Sequence, residues 1–484
     1  MKFKHQEVQN IVVILIAQGT AAVAAIATFL QIATKLSVVE YGRYEFAASS
    51  TVFFGLFAEL GVRYVSIREV TLQPDRAKQV FWNATIVRWL LSIAALLLLV
   101  IATLLFNPWS GERQLLIIAG ILAMMQFTGD PATWVLFGQG RADLAGAILI
   151  LDRIIYLVSI SVAAAVTQNA EGIVVGAVLA NLIRTLLAWL WIRHRVQQQV
   201  YQRWDWTLLR RLIADGSALG IAVMMSVTYA QLTIVIIQAA APAQELGYYS
   251  VAFAAVSVLL IVPQSLLIAL FPNWTSASSR EERAKLYKLV AWLNIVILLP
   301  LAVAMILFAE EFMTILFGVR YKPAVIILRI LAAASIVSAI SVMYRLILFA
   351  MNKPWRETLI DGWGILLTLA IGFLVAQRNG GPGLAVVYFI VELTVVFIKV
   401  AATWKLLGPP TYLRLLFLCG ISVLIPALVV SSFVEGLLLR LTIYSLGTVS
   451  LLLIFRVIPP EQVNSAARLI NRWSVKVRII NSRM

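Results

Sequence analysis

Charge is scarce in this sequence, and cysteine and histidine are scarcer still. Only 13% of the 484 residues are Asp, Glu, Lys or Arg, where a soluble globular domain carries roughly a quarter. That shortage excludes a soluble fold, which at this length would split into several domains joined by polar linkers. The single cysteine, Cys419, sits in an apolar run, which excludes an intrachain disulfide and a cysteine-based metal site. The two histidines, His5 and His194, lie in polar segments far apart in the chain. No Walker loop, no HExxH helix and no clustered carboxylates appear, so the common nucleotide and metal chemistries have no motif to rest on. No cofactor or metal is expected, and the sequence points away from an enzyme.

What is present is apolar. Hydrophobic residues make up 61% of the chain, and runs of about twenty follow one another from Ile11 to Val457, each long enough to cross a hydrocarbon core of about 30 Å as a helix. Backbone donors and acceptors in lipid must be satisfied internally, which leaves helices or a closed barrel. The runs are too long and too uniformly apolar for barrel strands, which alternate with period two. The fold class is therefore an all-α integral membrane protein of about 14 transmembrane helices. The spans are expected at 11–33, 45–67, 84–106, 114–137, 144–166, 172–192, 214–238, 248–272, 288–309, 323–350, 358–376, 383–404, 412–433 and 437–457. The basic start MKFKHQEVQN lacks a small-residue cleavage site after its apolar run and reads as a retained first helix.

The net charge of +16 is scattered over many short loops. It fits basic residues retained in the cytosol better than a nucleic-acid surface. With both termini cytosolic, most of the 39 Lys and Arg residues fall on that side, and the opposite topology inverts the bias. Arg203, Arg210 and Arg211, with Trp204 and Trp206, give the linker 198–213 the look of an interfacial amphipathic segment. Arg468, Arg472, Lys476, Arg478 and Arg483 place the tail 458–484 on the same surface. Trp82, Trp89, Trp109, Trp274, Trp292, Trp355 and Trp404 lie near span ends, as an interfacial belt requires.

An internal repeat accompanies this pattern. Glu40-Tyr41-Gly42-Arg43-Tyr44 and Glu245-Leu246-Gly247-Tyr248-Tyr249 are both E-x-G-x-Y, separated by the length of six helices with their loops and expected on the same side. An even helix number per half preserves orientation, so the halves are expected to be parallel repeats. One lobe covers 1–197 and the other 214–405, with two additional helices in 406–457. The Gly is read as the turn into the following helix and the Tyr as an anchor at headgroup level.

The segments LSVVEYGRYEFA (36–47), FAELGVRYVSIREV (57–70), FGQGRAD (137–143), QELGYYSVA (244–252), ILFGVRYKPA (315–324) and AMNKPWRE (350–357) resemble the multidrug/oligosaccharidyl-lipid/polysaccharide exporter superfamily. Within it they are most similar to the polysaccharide or O-antigen flippases of the Wzx type. The resemblance implies two six-helix lobes plus two C-terminal helices in a bacterial inner membrane. It implies as substrate a glycan linked to undecaprenyl pyrophosphate, moved from the cytosolic to the periplasmic leaflet. A polysaccharide polymerase and a chain-length regulator are the partners such a flippase works beside. A polytopic polymerase or ligase would carry a long outer loop with Arg and His, which this sequence lacks. A multidrug exporter of the same superfamily is the alternative.

Charges inside the spans single out the functional candidates, because each costs roughly 2.5–3.5 kcal/mol at a helix centre unless it meets a cavity or a partner. An anionic headgroup needs cations, and Arg presents a planar fork of donors matched to phosphate. Arg63, Arg153, Arg184, Arg329 and Lys399 are the substrate-binding candidates. Glu59, Asp130 and Glu392 are the candidates for coupling to a proton or sodium gradient. Several have structural readings as well. Glu59 and Arg63 stand at i, i+4 and can neutralise each other. Asp130 precedes Pro131 and can bond freed backbone donors. Arg329 and Arg345 are spaced to point to nearly opposite sides of an ideal helix. Glu392 and Lys399 share a face. Basic candidates outnumber acidic ones, which favours an anionic substrate over a cationic drug.

The topology is testable directly. A phosphatase fused behind residue 484 is expected to stay inactive, and one inserted after Gly111 to be active; the reverse pattern rejects cytosolic termini.

Overall fold

The computed structural model describes residues 20–21, 23–59, 62–105, 111–128, 130–139, 141–195, 205–261, 263, 280–350, 353–407, 413–434, 436–455 and 457. The start of the first expected span, residues 198–204 of the linker and the basic tail lie outside these residues. Among those described, every regular element is helical. The helices are α1 (Val23–Lys35), α2 (Val38–Glu59), α3 (Val62–Leu72), α4 (Ala77–Leu105), α5 (Arg113–Thr128), α6 (Asp130–Gly138), α7 (Ala142–Val166) and α8 (Ala170–Arg195). They continue with α9 (Trp206–Ala240), α10 (Ala243–Ser257), α11 (Arg280–Leu307), α12 (Ala309–Phe317), α13 (Ala324–Ala350), α14 (Pro354–Leu407), α15 (Leu413–Phe433) and α16 (Leu437–Ile454).

Ten helices among the described residues are long and apolar enough to cross a bilayer, against about fourteen expected. The differences have local causes. The spans expected at 11–33 and 248–272 run into residues outside those described. The span expected at 45–67 falls on α2 and α3, with residues 60–61 outside those described. The two expected at 358–376 and 383–404 run into one another as α14, which turns at Gly380 with φ 58° and ψ −146°.

α4 shows how these helices are arranged for lipid. Its polar residues Asn83, Thr85, Arg88, Ser92 and Thr103 are buried, together with Ala84, Ala95 and Leu99. Leu90, Leu97, Leu98, Ile101, Leu104 and Leu105 are exposed. The stripe facing the protein is the polar one, because the surrounding solvent is hydrocarbon and the helices pack through small and polar side chains.

The chain forms two compact units that interleave in sequence. One comprises residues 1–254, 313–327 and 353–391; the other comprises 255–312, 328–352 and 392–484. In the first, α3, α4, α6 and α9 share a core containing Val62, Phe81, Val87, Trp134 and Leu212. Gly176 of α8 carries no side chain where it meets Ala163 and Ser159 of α7, and the Ser159 hydroxyl donates to the Gly176 carbonyl at 2.6 Å. In the second unit, Tyr287, Tyr344, Cys419 and Tyr444 lie in one core. There the Tyr287 and Tyr344 hydroxyls are 3.1 Å apart, and Arg440 pairs with Glu311 while its guanidinium lies 5.2 Å from the Phe308 ring centre.

Both copies of the E-x-G-x-Y repeat sit in the first turns of helices, α2 and α10, not in loops ahead of them. Their Gly residues serve close approach, not a turn. A Cβ on Gly42 would lie 2.8 Å from the Gly247 nitrogen, and one on Gly247 would run into the Val38 carbonyl and side chain. The two copies therefore cross each other at their glycines. The glutamates repeat their role as well: Glu40 accepts from the Ala170 N–H at 2.7 Å, and Glu245 accepts from the Gly381 N–H at 2.8 Å. Each carboxylate thus meets free amides at a helix start, where the dipole favours it. The tyrosines that close the two copies are inside the protein, Tyr44 buried and Tyr249 fully so; ring packing displaces the headgroup role expected of them.

Further ties collect at the same helix ends. Arg43 pairs with Glu40 at 2.8 Å and Glu112 at 3.0 Å, and also with Glu171. It thereby joins the start of α2 to the residues opening α5 and α8. The Arg320 guanidinium donates to the carbonyls of Ala33 at 3.0 Å and Thr34 at 2.7 Å, completing the C-terminus of α1 with a cation as the dipole prefers. Tyr321 donates to Ala33 at 3.2 Å and packs edge-on against Tyr41. Burial pushes its phenol up to about 12, so it remains a donor at neutral pH.

The glycine crossing makes a sharp prediction. Gly247→Ala is expected to lower the melting temperature of the detergent-solubilised chain, since overpacking costs roughly 1–3 kcal/mol. Gly420→Ala, whose Cβ meets nothing within 4 Å, is expected to leave it unchanged or raise it. Equal melting of the two variants contradicts the crossing.

Candidate functional site

The charged residues of the first unit's interior form one chain of alternating sign across four helices. Arg88 of α4 reaches Asp130 of α6 at 3.1 Å. The other Asp130 oxygen takes Arg184 of α8 at 3.2 Å. Arg184 lies 3.5 Å from Asp152 of α7, and Arg153 stands beside Asp152 at 4.0 Å. Among the described residues these pairs join three cations to two anions.

The members differ in how far they are committed. Arg88 is fully enclosed, and its Cζ lies over the Trp134 ring, 4.8 Å from the ring centre, a favourable cation–π position. Arg184 also donates to the Gln126 carbonyl, so its guanidinium is shared among two carboxylates and a backbone oxygen. Asp130 is held by two guanidiniums and its own carbonyl accepts from Thr133 at 2.8 Å. Arg153 is the loose end: its side chain is 42% exposed, and its Nε makes no hydrogen bond among the described residues.

Arg153 also lines a cavity of about 140 Å³ with Ala25, Thr28, Phe29 and Ile32 of α1, Tyr41, Tyr44 and Glu45 of α2, and Tyr156 of α7. Tyr41 donates to Glu45 at 2.8 Å, and the Tyr44 and Tyr156 hydroxyls are hydrogen-bonded. The cavity therefore combines three phenols, one carboxylate and one guanidinium on a wall of apolar side chains.

The other sequence-predicted residues are distributed as follows. Arg63 is exposed near the start of α3. The side chain of Glu59 lies outside the described residues. In the second unit, Arg329 is exposed and its Nε donates to the Ile306 carbonyl at 3.3 Å. α13 runs unbroken from Ala324 to Ala350, so Arg329 and Arg345 stay on nearly opposite sides. Lys399 is fully buried and donates to the Ser341 hydroxyl at 3.0 Å; Glu392 is buried in the same unit. Of the eight candidates, Arg153, Arg184 and Asp130 come together in one network. In the first unit Asp361 is buried and accepts from Ser226.

Sequence reasoning missed Arg88 and Glu45. Arg88 falls near the end of its expected span, where a basic residue reads as snorkelling. The signal was the polar stripe Asn83, Thr85, Arg88 and Ser92, which follows a helical face. Glu45 sits at the edge of an expected span and was absorbed into the repeat beside it.

Comparison with known proteins gives these arrangements a context. The sequence model of a family described as "Polysaccharide biosynthesis protein" matches residues 32–326. A curated relative, the probable low-salt glycan biosynthesis flippase Agl15 of Haloferax volcanii, is 20% identical over 335 residues, covering 68% of this chain and 69% of that protein. Among solved structures, the lipid II flippase MurJ in an inward closed conformation superposes with a TM-score of 0.70 at 13% identity. That match covers 92% of this chain and 98% of MurJ. An inward-facing multidrug resistance MATE transporter of the MOP superfamily gives 0.60 at 15% identity, over 78% and 94% of the two chains. At such identities the structural likeness concerns the fold.

The ion network is testable by stability. Asp130→Ala is expected to destabilise the chain by about 3–5 kcal/mol, because it leaves the enclosed Arg88 without its carboxylate. Arg88→Met combined with Asp130→Leu is expected to recover part of that loss. Thermal unfolding in detergent reads both; a single variant as stable as the parent rejects the network.

Proposed function

The chain belongs to the polysaccharide biosynthesis protein family, and from that premise we propose that it is a flippase for a glycan linked to undecaprenyl pyrophosphate. It carries the headgroup from the cytosolic to the periplasmic leaflet of a bacterial inner membrane by alternating access. The flippase class rests on the family and on the all-helical transporter fold shared with MurJ and MATE proteins. The choice of an anionic lipid headgroup rests on one observation, the partly open guanidinium of Arg153 at the end of the Arg88–Asp130–Arg184–Asp152–Arg153 chain.

A pyrophosphate brings its charge into a region where hydration is lost, and it needs donors that replace water. Arg153 supplies them from a position that is anchored by Asp152 yet partly open. Arg184, engaged on both sides, holds Asp152 in place and so fixes where Arg153 can reach. The lipid tail stays in hydrocarbon throughout, so only the polar head requires a path. Movement follows the substrate gradient or a coupled proton or sodium ion, with Asp130 and Glu392 as the acidic groups for that role. A drug-exporter reading of the same fold fits less well, because a cationic drug meets a partly open guanidinium here.

The test is a deletion strain whose lipid-linked sugar pool is resolved by leaflet. Accumulation of undecaprenyl-linked glycan on the cytosolic face, reversed by the parent chain, is expected. Arg153→Ala is expected to reach the membrane at normal levels and to restore less than about a tenth of export, the loss that 1.4 kcal/mol or more of binding would produce. An unchanged pool with altered sensitivity to cationic dyes supports the multidrug alternative and overturns the flippase assignment.

A further inference from the structure

We infer that residues 317–321 are a releasable latch on the C-terminus of α1, which shuts the Arg153 cavity off from the face expected to be periplasmic and opens when a headgroup leaves. The inference rests on the flippase reading and adds to it the contact that breaks during export.

The chain sets this segment apart from its neighbours. Residues 313–327 pack into the first unit, whereas the stretches on either side, 255–312 and 328–352, belong to the second. Gly318 makes the departure possible. Its φ of 90° suits glycine and strains other residues. It turns the chain from α12 into a single 3-10 turn, Val319–Tyr321. That turn presents Arg320 and Tyr321 side by side to the end of α1.

The contact has a polar clasp and an aromatic plug. Arg320 donates to the Ala33 carbonyl at 3.0 Å and the Thr34 carbonyl at 2.7 Å, and the Tyr321 hydroxyl shares the Ala33 carbonyl at 3.2 Å. These are carbonyls of the kind a helix leaves without partners at its C-terminus. Beside the clasp, the Phe317 ring centre lies 5.2 Å from that of Phe29, and the Tyr321 ring centre 6.4 Å from that of Tyr41. Phe29 and Tyr41 both line the cavity that Arg153 shares. Phe317 and Tyr321 are themselves buried, so the two rings are seated on the cavity wall.

The clasp is suited to opening as well as to closing. Arg320 and Thr34 are exposed, so water takes over their hydrogen bonds at small net cost when they part. Release strands no charge in hydrocarbon. A cation kept for packing alone is enclosed, as Arg88 is, and cannot let go without a large penalty. The segment ILFGVRYKPA (315–324), one of those that carry the family resemblance, thereby gains a role in the transport cycle.

The experiment uses the full chain with Cys419→Ala, which removes the single native thiol, and Thr28→Cys as a reporter in the cavity wall. A small anionic methanethiosulfonate is applied to each face of sealed vesicles of known orientation. Adding Arg320→Ala is expected to speed modification from the outer face at least about ten-fold, as loss of about 1.4 kcal/mol of closure would produce, without a matching rise from the inner face. No change, or an equal rise from both faces, overturns the latch. In a second arm, Thr34→Cys and Arg320→Cys are joined in the Cys419→Ala chain by a cleavable bifunctional thiol reagent. Export is expected to stop while the bridge is intact and to return on reduction; export that continues under the bridge overturns the latch. The bridged chain is compared with itself, so the arm stays decisive if Arg320→Ala does not fold. If the parent chain does not restore the lipid-linked sugar pool, the flippase reading falls, and the vesicle rates still decide on the latch.

Discussion

Asp130 is the carboxylate on which the interior of the first unit depends. It meets Arg88 with one oxygen and Arg184 with the other, and through them ties α4, α6 and α8 together. In hydrocarbon a lone guanidinium has no water to fall back on. Two guanidiniums with one carboxylate between them would still be short of negative charge, and Asp152 supplies it from α7. The positions of four helices are thus coupled to a single electrostatic arrangement. Arg153 is its least buried end. The distribution explains why a sequence-level count of cations overstates the number available to a ligand: most of them are consumed in holding the protein together.

The repeat has a comparable logic at the helix ends. Gly42 and Gly247 let the two copies touch at backbone distance. Glu40 and Glu245 each reach the amide of a later helix, at Ala170 and Gly381. A duplicated sequence keeps its glutamate and glycine because each copy makes the same two contacts. The positions between them are free to diverge, and they do: Arg43 gathers three glutamates, while its counterpart is Tyr248. The motifs that carry the family resemblance, around residues 36–47, 244–252 and 315–324, converge on this region. They record packing.

The fold class and most spans were legible because hydrocarbon imposes a simple rule on composition and run length. The join at Gly380 was hidden, because QRNGGPG reads as a loop although helix continues to either side of one residue of positive φ. For the site, intramembrane charge was a sound signal that something is needed at Asp130, Arg153 and Arg184. It did not say what. Partners lie on other helices, and no local spacing reports that Arg184 meets two carboxylates while Arg153 is left half-open. The i, i+3 and i, i+4 rules see only pairs on one helix, which is why Glu59 with Arg63 attracted attention and Arg88 with Asp130 did not.

The separation of structural from available charge bears on how such a protein tells its substrate from ordinary phospholipid. A partly open guanidinium attracts any anionic headgroup, and attraction of that kind is screened and unspecific. Discrimination needs a group that the wrong lipid cannot satisfy. The cavity between α1, α2 and α7 keeps its polar groups paired within itself, Tyr41 with Glu45 and Tyr44 with Tyr156, and the Arg153 Nε is the buried donor beside it with no hydrogen bond among the described residues. Leaving such a donor unsatisfied costs more than its satisfaction contributes, so the loose end of the charge chain is where discrimination between headgroups would be felt first.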